Sequence, residues 1–260
     1  MFRVRTLGGL RLEAGEGSTG GSSRGRSLAL LALVAGAGDA GITRDQLLAY
    51  LWPQSDTARA RNSLKQVLFS LRQELQAEIF VTTNPVVRLD PQAVAADLQE
   101  FAAALDRHAL ADAVALYQGP FLDGFYLSGL ADFEHWVETD RRRLAARYQK
   151  AMESLATGAS AAGDTHGAVM WWRRVVAHDP LSSPCALALM RALVKDGDRV
   201  QALKYAGLHE NLLRAELGLD PDTGEKVFVR QLRQHASAAG QSRFGDRQRS
   251  TRRRTHDPTS

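Results

Sequence analysis

The sequence predicts a mainly α-helical protein with small β elements, divided into two folded domains. Three observations support this fold class. The chain has 260 residues, of which 44% are hydrophobic, so it can form about two domains with buried cores. Its first 92 residues alternate between β-rich and helical patterns, whereas the residues from Ala93 onward are helical almost throughout. A Gly-Asp motif also recurs, at Gly163 and Gly197, 34 residues apart.

Strand pairs are predicted at both ends of the first domain. Residues 2–15 (FRVRTLGGLRLEAG) alternate loosely around a Gly-Gly turn and predict a β-hairpin. A Gly/Ser-rich loop is predicted at residues 15–25. Residues 78–90 (EIFVTTNPVVRLD) contain two β-rich runs around an Asn-Pro pair and predict a second hairpin.

Three helices are predicted between these hairpins. The segment SLALLALVAG predicts a buried helix that ends at a glycine. The segment ITRDQLLAYLW predicts a second helix, with an N-cap at Thr43 and a stop at Trp-Pro. The third helix is predicted over residues 57–78, capped by Asp56 or Thr57. This order, a strand pair followed by three helices and a second strand pair, is that of a winged helix. In such a domain the third helix would read DNA and the last hairpin would be the wing.

The third predicted helix has an apolar face and a polar face free of acids. Its apolar stripe consists of Leu64, Val67, Leu68, Leu71 and Leu75. No acidic residue stands between Asp56 and Glu74, which is unusual for a merely solvated helix. Arg, Asn and Gln form bidentate hydrogen bonds with base edges, so Arg59, Asn62 and Gln66 are predicted to read DNA bases.

Other residues near this helix are candidates for phosphate contacts, which position a protein without specifying sequence. The predicted backbone-contacting residues are Thr43, Arg44, Arg61, Lys65, Arg72 and Arg88. Residues 1–92 contain 11 Lys and Arg against 8 Asp and Glu, a balance of +3 that suits a polyanion partner. Phe69 lies toward the polar face. It either touches a thymine methyl group or packs on the following domain, and packing is the favoured interpretation.

The second domain is predicted from its repeat. GDTHGA and GDRVQA each place an alanine about six residues into a helical hairpin, and 34 residues is the tetratricopeptide period. Cys185 stands in an apolar run and is predicted to be a buried small residue. Large aromatic residues can line a peptide groove or form core, and core is favoured for Trp136, Tyr148, Trp171, Trp172 and Tyr205. Residues 237–260 are predicted to be a disordered basic tail.

Several function classes lack support in the sequence. No apolar run reaches about 18 residues and no signal-peptide pattern is present, so a cytoplasmic protein without a membrane partner is expected. The seven histidines are scattered, and one cysteine cannot build a cysteine metal site. No arrangement suggests a catalytic triad. Neither an enzyme nor a metal or other cofactor is therefore expected.

Three groups of motifs, taken in order, resemble one family. LLALVAGAGDAGITRDQLLAYLWPQSDTARARNSLKQVLFSLRQEL resembles the OmpR-type winged helix of SARP-like regulators, with its LW…AR-N-L…LR-L pattern. DLQEFAAAL, AVALYQGPFLDGF and FEHWVETDRRRLAARY resemble the bacterial transcriptional activator domain that follows it. ALMRALVKDGDRVQALKYAGLHENLLRAELGLDPDTG resembles the tetratricopeptide-like end of that domain. The resemblance covers roughly residues 2–236.

The resemblance implies a winged-helix domain at residues 1–92 and an activator domain at residues 93–236. It implies a sequence-specific regulator of transcription that binds double-stranded DNA, often an activator that contacts RNA polymerase, with dimeric or tandem binding on direct repeats. The alternative is a helical-repeat scaffold whose winged helix no longer binds DNA specifically. Steep salt dependence of affinity would distinguish DNA binding from an apolar protein groove.

Overall fold

The computed structural model of the chain describes residues 1–13 and 25–234. The chain divides into unit 1, Met1–Ala151, and unit 2, which begins at Met152. The predicted Gly/Ser-rich loop, up to residue 24, and the predicted basic tail over residues 237–260 lie outside the described residues. Within the described ranges, no helix is long and apolar enough to cross a membrane.

The described part of unit 1 contains six short strands in two three-stranded sheets. The strands are β1 (Phe2–Arg5), β2 (Arg11–Glu13), β3 (Ile42–Thr43), β4 (Phe80–Thr83), β5 (Val86–Leu89) and β6 (Val94–Ala96). In the first sheet, β1 pairs antiparallel with β2 and parallel with β6. In the second sheet, β5 lies between β3 and β4 and is antiparallel to both.

Helices account for most of the remaining described chain. They are α1 (Gly25–Gly36), α2 (Arg44–Leu51), α3 (Thr57–Leu75), α4 (Asp97–Asp106), α5 (Leu110–Leu116), α6 (Ala131–Ala161), α7 (Thr165–His178), α8 (Ser183–Lys195), α9 (Arg199–Leu217) and a helix at residues 223–234. A short 3-10 turn, Gly38–Ala40, precedes β3. The predicted fold class, a winged helix followed by tetratricopeptide-like helices, is confirmed.

Sequence patterns located most elements of unit 1 but missed two strands. Both predicted hairpins and all three helices between them are present. The predictions did not include β3 or β6, and β6 lies where the chain was expected to be helical. The third helix ends at Leu75, not at residue 78, because Gln76 adopts a left-handed conformation with φ 50° and caps the helix.

The core of unit 1 is centred on α1. The residues from Ala29 to Ala35 are all buried, which explains why this segment is apolar on every side. Side chains from α2, from α3, from the residue before β4 and from β5 close around it, namely Leu47, Leu51, Leu64, Leu71, Ile79 and Val87. Burial on this scale fixes the orientation of the third helix, because its apolar stripe has one place to pack.

A buried carboxylate joins the start of the chain to α4. Asp97 is fully buried and accepts hydrogen bonds from the backbone N–H of Thr6 at 2.8 and 2.9 Å and of Leu7 at 2.9 Å. The Thr6 hydroxyl donates a further bond of 2.7 Å to the same carboxylate. Asp97 is also the first residue of α4, where the helix dipole favours a negative charge. These donors supply what a buried charge requires.

The segment after Thr6 also contacts the chain near residue 120. The Leu122 N–H donates to the Thr6 carbonyl at 2.8 Å. Gly8, with φ +93°, passes so close to Gly119 that a Cβ atom on Gly119 would lie 3.0 Å from the Gly8 Cα. Both positions therefore require glycine. Packing divides the chain between Ala151 and Met152. The boundary predicted from the sequence at residues 92/93 remains a prediction.

Unit 2 confirms the 34-residue repeat. Gly163 and Gly197 both have positive φ, 79° and 91°, at the turns that precede α7 and α9. The next residue, an aspartate in both copies, caps its helix by accepting a backbone N–H bond. The alanines six residues into the motifs, Ala168 and Ala202, are buried. Small residues at these positions let neighbouring helices approach closely.

Buried side chains of unit 2 include one polar pair. His209 Nδ1 on α9 lies 3.0 Å from Glu225 Oε1 on the 223–234 helix, and both side chains are almost completely buried. Burial and the nearby Glu225 carboxylate raise the pKa of Tyr205 to about 12. Cys185 is buried as predicted, and this burial raises the pKa of its thiol.

The five aromatic residues assigned to core are all half-buried. Trp136 and Tyr148 pack against the core of unit 1, with ring centroids 5.5 Å from Phe121 and 4.2 Å from Tyr117, respectively. The core interpretation therefore holds for these two residues. In unit 2, Trp171 instead lies under the Arg174 guanidinium, 5.0 Å from its ring centroid.

Replacing Asp97 with alanine should strongly destabilise unit 1. The substitution leaves the Thr6 and Leu7 donors buried without an acceptor, so we expect the free energy of unfolding to fall by about 3–5 kcal/mol. Urea unfolding, monitored by circular dichroism, measures this loss of stability. The control is Asp106→Ala, which removes an exposed ion pair with Arg147 and should change stability by less than about 0.5 kcal/mol. Equal effects of the two substitutions would contradict the assigned role of Asp97.

Candidate nucleic-acid interface

The third helix exposes the face that the sequence predicted to be polar. Its buried residues are Ala60, Leu64, Leu68, Leu71 and Leu75, which form one continuous stripe against the core of unit 1. Its exposed residues include Arg59, Asn62, Lys65, Gln66, Phe69 and Gln73. At about 1.5 Å per residue, a helix of 19 residues presents roughly 28 Å of this face to solvent. An α-helix of these dimensions fits the major groove of B-DNA.

The three predicted base-reading residues are brought together on this face. Arg59, Asn62 and Gln66 are separated by three and four positions, so they project from successive turns of the same side. All three are exposed, within about 10 Å along the helix axis. Gln66 also lines a polar groove of about 720 Å³ beside α3, which Arg26 and Ser70 share.

Asp56 fixes the first turn of α3. Its Oδ1 accepts a hydrogen bond of 2.9 Å from the Arg59 backbone N–H. Of the two candidates that the sequence offered, Asp56 and Thr57, Asp56 is therefore the N-cap. Its Oδ2 lies 3.4 Å from Arg59 Nε, in a pair whose arginine side chain is 86% exposed. Such an exposed pair contributes little, so the guanidinium can exchange it for another acceptor.

Thr43 is the N-cap of α2, and its hydroxyl already has local partners. The hydroxyl accepts from the Gln46 N–H at 3.2 Å and donates to Gln46 Oε1 at 2.9 Å. The Thr43 backbone N–H donates to the same Oε1 at 3.0 Å, which completes a capping box. A phosphate contact by this hydroxyl would compete with the cap. The assignment of Thr43 to the DNA backbone remains a prediction.

Arg44 connects the start of α2 to the wing. Its backbone N–H donates to the Pro85 carbonyl at 3.0 Å, at the turn between β4 and β5. Its Nε atom is buried and has no hydrogen-bond partner among the described residues. A guanidinium nitrogen that is buried without a partner is costly.

The other predicted backbone-contacting residues differ in their local partners. Arg61 Nη2 lies 3.9 Å from Asp45 Oδ1, and Arg72 Nε lies 2.9 Å from Glu78 Oε2. Lys65 and Arg88 are exposed and form no ion pair within the described part of the chain. Among the described residues, Arg44, Lys65 and Arg88 are therefore the predicted phosphate-contacting cations that have no competing carboxylate.

The wing is held against α2 by β3, which the sequence analysis missed. Ile42 and Thr43 pair with Val87 and Val86 of β5, so the α2 N-cap and the wing form one continuous sheet edge. Gly41 makes this possible, since it has φ +69° and a Cβ atom there would lie 2.5 Å from Val86 Cγ1. The available signal was a glycine followed by two β-branched residues. That signal is weak because the strand has only two residues.

The expectation that Phe69 packs on the following domain is wrong. Phe69 is 61% exposed, in the middle of the polar face of α3. The sequence indicated its position on the helix correctly, but not that the described residues leave its side chain exposed. Within the described residues, no group of three or more His, Cys, Asp or Glu is placed to hold a metal ion.

Comparisons with known proteins agree with this architecture. The family model of the bacterial transcriptional activator domain matches residues 86–233, which is more than half of the chain. Mycobacterium tuberculosis EmbR, solved in complex with a low-affinity phosphopeptide, has a similar fold with a TM-score of 0.64. The two chains are 21% identical, and the similarity covers 94% of this chain and 71% of the EmbR chain. No curated protein sequence matches the chain.

Removing the N-cap of α2 should lower the stability of the protein, and a substitution that keeps the hydroxyl should not. Thr43→Ala deletes the capping oxygen, so we expect the free energy of unfolding to fall by about 1 kcal/mol. Thr43→Ser keeps the oxygen and should retain most of this stability. Urea unfolding of the two variants beside the wild type measures the difference. Equal stability of the alanine and serine variants would show that the hydroxyl does not act as a cap.

Proposed function

The chain belongs to the family defined by the bacterial transcriptional activator domain, and from this we propose that it regulates transcription by binding specific double-stranded DNA sequences. Membership places it among transcription regulators and not among enzymes. The observation that carries the proposal is the exposed face of α3. It presents Arg59, Asn62 and Gln66 together, with no acidic residue among them.

In the proposed complex, α3 lies in the major groove as the recognition helix of an OmpR-type winged helix. Arg59 suits the two acceptors of guanine, whereas Asn62 and Gln66 suit the acceptor and donor of adenine. Each such bidentate pair discriminates against a wrong base by about 1–3 kcal/mol. The side chains are held by a helix whose other face is buried, so they are positioned before DNA arrives.

Phosphate contacts are proposed for the residues around this helix. Arg44, Lys65 and Arg88 form no ion pair with a described carboxylate, so these three gain most from a phosphate. Arg61 and Arg72 would each exchange an existing ion pair for a phosphate contact. Arg88 lies on β5 of the wing, which would place it against the backbone beside the groove.

The helical part of the chain is proposed to mediate protein contacts. Met170, Val200 and Leu208 are large apolar residues that are more than half exposed on α7 and α9, which supports a protein-binding role for unit 2. The contacts proposed are with RNA polymerase or with a second copy bound beside it on DNA. Since its target would be the bacterial chromosome, the protein is proposed to act in the cytoplasm.

Loss of the base-reading amides should abolish sequence selection. We expect purified wild-type protein at physiological salt to enrich a discrete motif from fragmented host genomic DNA. The Asn62→Ala, Gln66→Ala double variant should lose that motif, since about 1–3 kcal/mol per bidentate pair is removed. The matched control, Gln201→Ala with Asn211→Ala, removes two exposed amides from α9 and should retain it. No enrichment by the wild type would favour the scaffold alternative.

Replacing a cation that has no ion pair with alanine should weaken DNA binding without changing the selected motif. Lys65→Ala and Arg88→Ala each remove one proposed phosphate contact. Each should therefore reduce the slope of log affinity against log salt by about 0.9. Fluorescence anisotropy on the selected duplex at several salt concentrations measures this slope. A variant with an unchanged slope and wild-type affinity would exclude that residue from the interface. The control is Arg230→Ala on the 223–234 helix, which should leave the slope unchanged.

A further inference from the structure

Phe69 is the large apolar exception on the exposed face of α3. It is 61% exposed, whereas the other large apolar residues of this helix, from Leu64 to Leu75, are buried or half-buried. Single exposed apolar residues are common on protein surfaces, so exposure alone assigns no role. Its position is more informative, because it stands three, four and seven residues after Gln66, Lys65 and Asn62.

These spacings place the Phe69 ring on the same side as the proposed reading residues. Residues separated by three, four and seven positions lie on one face of an α-helix. Helical side chains lean toward the N-terminus, so the ring extends over the turn that carries Lys65 and Gln66. The ring makes no contact with another aromatic ring or an arginine among the described residues.

We propose that Phe69 contacts the C5-methyl group of a thymine and thereby specifies that base in the operator. This inference rests on the proposed function. The major groove presents one apolar group, the thymine methyl, and an aromatic side chain recognises it by apolar contact. Polar neighbours on the same face satisfy the hydrogen-bonding edges of adjacent bases, and Phe69 supplies the apolar contact that they cannot make.

Helix geometry limits where this thymine lies. Phe69 is about 4.5 Å along the helix axis from Gln66 and about 10 Å from Asn62. Adjacent base pairs are about 3.4 Å apart. The thymine therefore lies within a few base pairs of those read by the two amides, toward the end of the site contacted by the C-terminal half of α3.

The experiment removes the methyl group alone. In the duplex selected by the wild-type protein, each thymidine is replaced in turn by deoxyuridine, and affinity is measured by fluorescence anisotropy. Burial of one methyl group corresponds to about a fourfold change in affinity. We expect one thymine position at which uracil weakens wild-type binding about fourfold. Phe69→Ala should bind the unmodified duplex more weakly and be insensitive to uracil at that position.

A matched control separates this role from a general effect of losing an exposed aromatic residue. Tyr126 is 73% exposed in unit 1 outside α3, and Tyr126→Ala should keep the wild-type sensitivity to uracil. A selected motif without any Phe69-dependent thymine would overturn the inference and leave the proposed function intact. Failure of the wild type to select a motif would overturn both. Loss of self-association in Phe69→Ala with unchanged uracil sensitivity would assign Phe69 to a protein interface.

Discussion

Asp97 constrains the whole of unit 1, because a fully buried carboxylate is tolerated only where enough donors surround it. Its donors come from Thr6 and Leu7, which stand 91 and 90 residues earlier in the chain. The N-terminal strand must therefore reach the start of α4 whenever this unit is folded. The parallel pairing of β1 with β6 follows, since β6 ends immediately before Asp97.

Contacts around Thr6 also connect the domain that carries the candidate DNA-binding surface to the region matched by the family model. Thr6 also accepts a backbone hydrogen bond from Leu122, and Arg141 on α6 donates to the carbonyl groups of Phe121 and Leu122. Within unit 1, α4, α5 and the first part of α6, which the family model matches, thus share one core with α1, on which α3 packs. The core that positions the exposed face of α3 therefore contains described residues from both sides of the boundary predicted at residues 92/93.

Sequence patterns predicted the features of this fold that depend on neighbouring residues. The N-cap at Thr43, the α3 cap at Asp56 or Thr57, the two hairpins and the 34-residue repeat each have a local signature. All are present, with Asp56 as the α3 cap. Strand β6 and the role of Asp97 could not be predicted. An aspartate in the first turn of a helix is ordinary, and only a partner 91 residues away makes it a buried anchor. Long-range pairing leaves no such local signature.

The candidate site shows the same division between local and long-range information. Helical periodicity placed Arg59, Asn62 and Gln66 on one exposed face, but it could not indicate which cations have acidic partners. Arg72 pairs with Glu78 because α3 ends at Leu75 and the chain turns back. In a helix continued to residue 78, the two side chains would point about 120° apart around the axis and start about 9 Å apart along it. A phosphate displaces nothing at Lys65, whereas at Arg72 it must replace an existing ion pair. Affinity for a polyanion should therefore depend more on Lys65 than on Arg72, a difference that the number of charges alone would not reveal.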